Sequence, residues 1–482
     1  MAAPAVRRAG GIELAPSVAI WRVPPGRGPL LAQLRRLRLL RWTRPERTLA
    51  HAAVRVAPDP LSPGEWWRDR VGADSIEPPG PGIAVTVIDT GVDLAHPEFA
   101  GRPDTVALNV QRITDSDKDF HGTAVASVAG APANGVGLVG IYPALKLQLY
   151  DADLLGRVTD GELIGAIDAA AATGPGVINL SLGSPDFDQP LQDAIYSAFK
   201  RGSLVVAASG NSRTAGNPIN FPANMSHVLT VGATDRTDRA AAFSSTSRGV
   251  DLAAPGVEIP AALPTAFART GYANVDGTSF SAPLVSGATA WVWTSRPTLN
   301  NTQIFDVMRW SARDVGAAGF DEETGFGILD VPAALAEPAP RPDPQEPNDD
   351  VALVKPGALF AHGTSPLTAP GRPRATVRAR VDVTEDPADV YRVWIPARRT
   401  LVATLRGEEN VDLALWKPAT RTVRERGKAL RRDRAASSAL PRTRVDVARA
   451  LNPDRRGAYF YAAVAPAYGV GGASYTLTVT TR

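Results

Sequence analysis

The chain has 482 residues, enough for two or three hydrophobic cores, and its 44% of apolar residues is typical of globular rather than disordered or fibrous proteins. Its 52 basic and 49 acidic residues leave a net charge of +3, a bias too small to indicate a nucleic-acid-binding protein. The chain lacks cysteine, which excludes disulfide bonds and thiolate metal sites, and no apolar run approaches the ~18 residues of a membrane-spanning helix.

The first 60 residues predict a small strand–helix–strand unit. Ser17–Val23 is a short apolar run typical of a strand, Leu30–Leu40 is amphipathic and basic, and Arg41–Leu49 is the second predicted strand. Such a unit is too small to be stable alone, so we expect it to dock on another part of the chain or to remain loose. No secretory signal is visible, because Arg7 and Arg8 lead into no apolar segment.

Residues 61–336 predict a domain in which buried strands alternate with helices. Short runs rich in Val, Ile and Ala predict strands at Ile83–Ile88, Leu145–Tyr150, Gly176–Leu180, Ser203–Ala208 and Val228–Val231. The helices predicted between them are Gly122–Ala129, Asp160–Ala172 and Gln189–Arg201. The predicted fold class is therefore α/β, with a parallel sheet.

Residues 337–347 are rich in proline and predict a stiff, extended linker. Beyond it the apolar residues alternate with period two, which predicts an all-β sandwich over residues 348–482. The clearest of its strands are Asp389–Ile395, Thr400–Leu405, Val411–Trp416, Tyr459–Val464 and Ser474–Thr480.

Three residues of the α/β region carry a pattern typical of nucleophilic catalysis. Asp89 ends an apolar strand, where the functional groups of an open parallel sheet gather. His121 opens an Ala-rich helix, and Ser279 follows the glycine turn that leads into the apolar helix Leu284–Trp293. Each residue alone is more often a cap or a turn residue. Together, acid, base and nucleophile follow one another in the chain order of the subtilisin triad.

Three sequence blocks closely resemble the signatures of the subtilisin (subtilase) family. They are Val87–Val92, His121–Thr123 and Gly277–Pro283, and the similarity continues through Asn179–Gly183, Ala207–Asn211 and Ala253–Gly256. The resemblance covers residues 61–336 and implies a three-layer domain with a parallel central sheet. It also implies a serine endopeptidase in which Ser279 attacks, His121 is the general base, Asp89 orients it, and Asn211 donates to the oxyanion.

The resemblance further suggests where a peptide substrate binds. Ser181, Leu182 and Gly183 would pair with the peptide as an added strand, and Ala208, Ser209, Gly210 and Asn220 would wall the side-chain pocket. No acidic residue lies in these segments. We therefore expect a broad preference for neutral or apolar residues at P1, the position before the scissile bond.

The chain departs from the family pattern in several places. Ala124 replaces a second histidine, and Leu284 and Ser286 replace the His and Ala that many members carry; we expect altered packing with retained catalysis. The family resemblance also suggests structural calcium. Glu98 and Asn134, with carbonyl groups near Val136 and Leu138, are the candidate ligands because calcium prefers oxygen.

The flanking regions have weaker resemblances. Residues 1–60 are similar to the latter part of a subtilisin propeptide, which would be cleaved near Leu49–Leu61, although a retained N-terminal extension is the alternative. Residues 348–482 resemble the bacterial pre-peptidase C-terminal domain, through Glu346–Asp349, Asp389–Tyr391 and Ser474–Leu477 among other segments. The C-terminal region could serve in binding, export or surface attachment, or be purely structural.

Other functions remain possible at the level of sequence. A catalytically inactive binding scaffold could share the fold, but no member of the triad is missing. Dinucleotide binding lacks its glycine pattern after Ile88, and sedolisin-type peptidases use Glu where this chain has His121. We expect polypeptide substrates, a monomer, no nucleic acid or transmembrane span, and an extracellular or cell-surface location as in relatives with this domain pair.

Overall fold

A computed structural model describes residues 2–15, 20–40, 43, 59–113, 119–153, 156–440 and 445–482. Residues 1–55 form one compact unit and residues 56–482 another.

The first unit contains helix α1 (Ala2–Arg8), the antiparallel strands β1 (Ile12–Ala15) and β2 (Ile20–Arg22), and helix α2 (Gly28–Arg36). Helix α2 covers most of the predicted helix Leu30–Leu40 and buries Leu34. The predicted strand Arg41–Leu49 lies outside the described residues, except for residue 43.

The second unit begins with an α/β region. Its helices are α3 (Trp67–Arg70), α4 (His121–Gly130), α5 (Asp160–Ala172), α6 (Gln189–Lys200), α7 (Thr278–Ser295), α8 (Asn301–Trp310) and α9 (Val331–Ala336), with single 3-10 turns at Ser62–Gly64, Ala73–Ser75 and Arg213–Ala215. Its strands are β3 (Ala84–Asp89), β4 (Thr105–Ala107), β5 (Lys146–Asp151), β6 (Gly176–Leu180), β7 (Leu204–Ala208), β8 (Val228–Thr234), β9 (Leu252–Pro255), β10 (Ile259–Ala262) and β11 (Tyr272–Val275).

A parallel sheet lies between two helical layers. Within the described residues it has seven strands in the order β4-β5-β3-β6-β7-β8-β9. Successive side chains of a strand point to opposite faces, so Val85 and Val87 join the core with α4 and α7, whereas Ile88 joins the core with α5 and α6. This arrangement confirms the predicted α/β class and its three layers.

Helix α7 runs through the interior, and its small residues let it approach its neighbours closely. A Cβ added at Gly287 would lie 2.9 Å from the carbonyl oxygen of Ala129 in α4. Close packing of α4 against α7 brings the helix that begins at His121 beside the helix that carries Ser279.

The C-terminal region is a β-sandwich, as predicted. Across the described part of residues 351–482 it has strands in two antiparallel sheets, β12-β19-β14-β17 and β13-β18-β15-β16. Its elements are α10 (Val351–Val354), β12 (Arg374–Asp382), β13 (Asp389–Ile395), β14 (Thr400–Gly407), β15 (Val411–Trp416), α11 (Gly427–Asp433), β16 (Arg434–Ser438), β17 (Val445–Leu451), β18 (Ala458–Pro466) and β19 (Gly472–Thr481). Apolar side chains of both sheets form a separate core.

The proline-rich segment 337–347, predicted as a stiff linker, makes hydrogen bonds to both the α/β region and the sandwich. The Gln303 side chain donates to the Pro340 carbonyl (2.7 Å), and the Asp343 carboxylate accepts from the backbone N–H of Arg380 in β12 (2.8 Å). Among the described residues, no helix combines the length and apolar character needed to cross a membrane.

Candidate active site

Asp89 and His121 meet at the carboxyl edge of the central sheet. Asp89 is the buried last residue of β3, and His121 is the first residue of α4. The His121 Nδ1 atom lies 2.7 Å from Asp89 Oδ1, which also accepts the backbone N–H of Thr90 at 2.8 Å. A carboxylate at Nδ1 favours the tautomer with a proton there and leaves Nε2 as the acceptor.

The electrostatic surroundings of His121 raise its pKa. Burial by itself lowers the pKa, but the charge of Asp89 and the hydrogen bond to it outweigh burial and raise the pKa above the ordinary value of 6.5. The imidazolium is therefore stabilised in this position, as a general base requires once it has accepted a proton.

Ser279 lies in the first turn of α7, immediately beyond Gly277. Gly277 has a φ of +149°, in a region that L residues rarely adopt. The sharp turn at this glycine places Ser279 in the first turn of the helix. The Ser279 hydroxyl donates to the carbonyl oxygen of Ser181 at 3.2 Å, rather than to the His121 ring. Catalytic hydrogen bonds are often absent or long without substrate, so this geometry is compatible with a serine that turns to the base on substrate binding.

Asn211 follows β7 and faces the start of α7. Its Oδ1 atom accepts both the backbone N–H and the hydroxyl of Thr278, each at 2.9 Å. Since both bonds use the oxygen, the amide nitrogen is turned the other way and lies near Gly277. The backbone N–H of Ser279 is in the first helical turn, where N–H groups have no partner within the helix. Two neutral donors are thus available beside the serine.

The residues predicted to bind substrate surround this centre. Ser181 and Leu182 line a cavity of 250 Å³ together with Asp89, Thr90, Phe120, His121 and Val158. There is no room for a side chain at position 183, because a Cβ added at Gly183 would lie 2.8 Å from the Phe221 carbonyl oxygen.

The predicted pocket walls also come together. Ala208 ends β7 and Ser209 follows it, and the Asn220 side chain donates to the Ser209 carbonyl at 3.1 Å. Gly210 has a φ of +105° and donates its N–H to the Thr278 hydroxyl at 3.2 Å, which ties this wall to the start of α7.

The candidate calcium ligands Glu98 and Asn134 both accept hydrogen bonds from the backbone of the same loop. Glu98 Oε1 accepts the backbone N–H of Leu138 (2.9 Å), and Asn134 Oδ1 accepts that of Val136 (2.9 Å). The carboxylate of Asp59 accepts the backbone N–H groups of residues 134, 135 and 136 at 3.2, 3.0 and 3.1 Å. The loop therefore presents N–H donors to Glu98 Oε1, Asn134 Oδ1 and Asp59, whereas Glu98 Oε2 is buried without a hydrogen-bond partner among the described residues.

Among the residues that the structure describes, two other groups have a geometry that could hold a metal: His227 with Glu346 and Asp349, and Asp343 with Glu346 and Asp389. The first group does not fit a metal as it stands, because the His227 ring contacts carboxylates through both nitrogens, Asp349 at 2.8 Å and Glu385 at 2.9 Å.

The second group fits a hard cation. Its ligand oxygens lie within 4.8 Å of one another, and Asp343 Oδ1 and Asp389 Oδ1 are buried without a hydrogen-bond partner among the described residues. Three converging carboxylates, two of which have an oxygen without a partner, are a donor set that calcium prefers. Sequence reasoning missed this group, since Asp343 and Glu346 of the proline-rich segment come close to Asp389 only after that segment packs on the sandwich.

Comparisons with known proteins agree with this geometry. The family description "Subtilase family" matches residues 80–327. Subtilisin BL from Lederbergia lenta is 35% identical over 258 residues, covering 53% of this chain and 91% of that protein. The minor extracellular protease Epr from Bacillus subtilis is 34% identical over 265 residues, covering 54% of this chain and 39% of that protein.

A solved structure shares the fold. The psychrophilic subtilisin-like protease Apa1 from the Antarctic Pseudoalteromonas sp. AS-11 superposes with a TM-score of 0.50 and 18% identity, over 56% of this chain and 97% of that one. At 18% sequence identity, this structural similarity supports the fold alone.

Proposed function

The chain belongs to the subtilase family and is a subtilisin-like serine endopeptidase, and from this premise we propose that Ser279 is its nucleophile, His121 its general base, and Asp89 the residue that orients His121. The observation that carries the assignment is the 2.7 Å contact between His121 Nδ1 and Asp89 Oδ1, at the sheet edge where α7 presents Ser279.

The proposed reaction proceeds through an acyl-enzyme. His121 Nε2 takes the Ser279 proton as the oxygen attacks the scissile carbonyl carbon, and Asp89 stabilises the resulting imidazolium. The same proton then passes to the leaving amine, the peptide bond breaks, and an ester to Ser279 remains. Water, deprotonated by His121, releases the acid product and restores the serine.

Asn211 and the Ser279 backbone N–H form the proposed oxyanion hole. The tetrahedral intermediate places negative charge on the former carbonyl oxygen, and neutral donors stabilise it without ionising. The bonds from Thr278 to Asn211 Oδ1 support this role, because they hold the amide nitrogen toward the reacting centre. In subtilisin, removing such an Asn costs on the order of 10²–10³ in kcat.

We propose that the peptide pairs with Ser181–Gly183 as an added strand and that its P1 side chain enters the pocket walled by Ala208–Gly210 and Asn220. These segments carry no acidic side chain, which supports a broad preference for neutral or apolar P1 residues.

We propose structural calcium at Asp343, Glu346 and Asp389, and we keep Glu98 and Asn134 as the second candidate site. The ion would supply positive charge to buried carboxylates and would take no part in the reaction. The orphaned oxygens of Asp343 and Asp389 support this choice.

The flanking regions keep their sequence-based proposals. Residues 1–60 would be a propeptide or a retained extension. The β-sandwich of residues 348–482 would be a pre-peptidase C-terminal-like domain. An extracellular location is supported by similarity to a relative that is described as extracellular.

The decisive experiment compares the wild-type chain with Ser279→Ala, using fluorophosphonate labelling and digestion of a denatured protein. We expect one adduct at Ser279 in the wild type and none in the variant, with proteolysis reduced on the order of 10⁶-fold. Ser295→Ala, at the exposed far end of α7, is the matched control and should retain full labelling. A wild-type protein that folds but takes no adduct at Ser279 would instead support a catalytically inactive scaffold. Loss of residues 1–60 in the wild type only would indicate autocatalytic removal.

A further inference from the structure

A chain of buried hydrogen bonds connects the interior of α7 to the nucleophile. The Ser286 hydroxyl donates to Asn179 Oδ1 at 2.9 Å, and Asn179 Nδ2 donates to the Ser181 hydroxyl at 3.0 Å. The Ser181 hydroxyl in turn donates to the Ser279 carbonyl oxygen at 2.7 Å. Ser286 and Asn179 are fully buried, so water cannot replace either partner.

Pro283 explains why the Ser279 carbonyl can receive this bond. In a helix the carbonyl of residue 279 would accept the N–H of residue 283, but proline has no N–H. Without the Ser181 hydroxyl, this partly buried carbonyl would lose its acceptor bond. The Ser279 hydroxyl donates back to the Ser181 carbonyl at 3.2 Å, so two bonds tie the nucleophile to the first residue of the predicted substrate strand.

The donors and acceptors in this series of hydrogen bonds can be arranged in one direction only. Asn179 Oδ1 can only accept, which makes Ser286 its donor, and Asn179 Nδ2 can only donate, which makes Ser181 its acceptor. The Ser181 proton is therefore left for the Ser279 carbonyl. The hydroxyl of a serine in a helix usually donates a hydrogen bond to a backbone carbonyl of the preceding turn. The Ser286 hydroxyl donates instead to the Asn179 side chain in β6.

We propose that Ser286 is a positioning residue for Ser279, acting through Asn179 and Ser181; this rests on the proposed role of Ser279 as nucleophile. Without the Ser286 hydroxyl, the Asn179 amide can rotate and present its oxygen to Ser181. Ser181 would then donate to Asn179 and release the Ser279 carbonyl, and the first turn of α7 would lose its tether.

The test measures the second-order rate constant of fluorophosphonate labelling, with kcat and KM for a neutral peptide anilide. For Ser286→Ala we expect labelling and kcat to fall together by about 10-fold, since misplacing a reacting atom is costly, with KM changed less than about twofold. Ser286→Cys keeps the volume and donates weakly, so it should lie between wild type and Ser286→Ala.

Two further variants separate positioning from general loss of stability. Thr289→Val removes a buried hydroxyl from the same helix, but that hydroxyl bonds only the Val285 carbonyl (2.7 Å); it should label within about twofold of the wild type. Ser181→Ala should resemble Ser286→Ala, and the double variant should be no slower than the slower single one, because both act through one chain.

The outcomes distinguish this inference from the proposed function. Labelling of Ser286→Ala at the wild-type rate, or multiplicative effects in the double variant, would overturn the positioning role and leave Ser279 as nucleophile. Absence of any adduct at Ser279 in the folded wild type would overturn both.

Discussion

At the scale of single residues, the proposed role of Asp89 is to orient the His121 ring and to set how readily that ring binds a proton. The carboxylate lies 2.7 Å from Nδ1, and its charge raises the pKa of His121 against the effect of burial. In the proposed mechanism, only neutral His121 can accept the Ser279 proton. Activity should therefore be low below this pKa and increase as the pH rises through it, with a midpoint above 6.5.

The pH profile of kcat/KM with an uncharged substrate checks this expectation. In Asp89→Asn the raising influences are lost and burial remains, so the midpoint should move to lower pH while activity drops on the order of 10⁴-fold. A midpoint that stays in place in Asp89→Asn would show that another group controls the profile.

At the scale of secondary structure, the distance between Asp89 and His121 depends on the contact of α4 with the turn after β3. A Cβ added at Gly122 would lie 2.1 Å from the Gly91 carbonyl oxygen. Backbone cannot give way as a flexible side chain does, so Gly122→Ala should push the first turn of α4 and His121 away from Asp89.

We expect Gly122→Ala to lower kcat/KM by about 100-fold or more, because catalysis is sensitive to displacements near 1 Å. Gly165→Ala is the matched control: this helical glycine in α5 has open space around it, and the variant should keep full activity and gain up to about 1 kcal/mol of stability. If Gly122→Ala kept more than half of the wild-type kcat/KM, the contact would not position the base.

Much of the fold and of the site follows from local sequence patterns. Strands such as β3 and β6 are continuous apolar runs, and each functional residue stands next to a strand end or a helix start. The start of α7 was predicted six residues too late, at Leu284, because Pro283 usually marks a helix boundary. Here Ser181 satisfies the carbonyl that the proline leaves without a donor.

Other features depend on contacts between distant segments. Strand β12 was not predicted, although its polar and apolar residues alternate, with Val377 and Val381 buried and Arg374 and Arg378 exposed. The acidic groups around Glu346 come from positions far apart in the chain, and no local sequence pattern predicts which of them lie close together.

At the scale of the whole molecule, Arg309 joins the sandwich to the α/β region. Its buried guanidinium lies 3.4 Å from Asp251, 3.1 Å from Asp306 and 3.5 Å from Asp382, the last of these at the end of β12. Burial raises the pKa of Asp251 to about 7 and that of Asp306 to about 6, while the charge of Arg309 opposes both shifts.

Arg309→Met should cost about 3–5 kcal/mol of unfolding free energy, because it leaves buried carboxylates without their cation. Arg313→Met is the control; its half-exposed side chain pairs with Asp238 at 3.2 Å and should matter by less than about 1 kcal/mol. Denaturant unfolding followed by fluorescence measures both variants. Equal effects would mean that the buried network contributes no more than a surface ion pair.

Calcium should stabilise the same junction. Excess calcium should raise the melting temperature of the wild type by a few degrees relative to EGTA, since an ion that binds only the folded state stabilises it. In Asp389→Asn this increment should shrink, although without calcium the variant should melt no lower than the wild type because one buried charge is gone. Asp412→Asn, in β15 of the same sandwich, should keep the full increment. Asp389→Asn with an undiminished response would place the ion elsewhere.

The order of strands in the sandwich has a consequence for the timing of synthesis. Strand β19 lies between β12 and β14, yet it follows every other strand of its sheet in the chain. The whole α/β region leaves the ribosome long before residue 481 is synthesised. The α/β region can therefore fold while the sandwich still lacks an interior strand. A nascent chain stalled after residue 336 should therefore already bind a fluorophosphonate, whereas its sandwich can mature only when translation has passed β19.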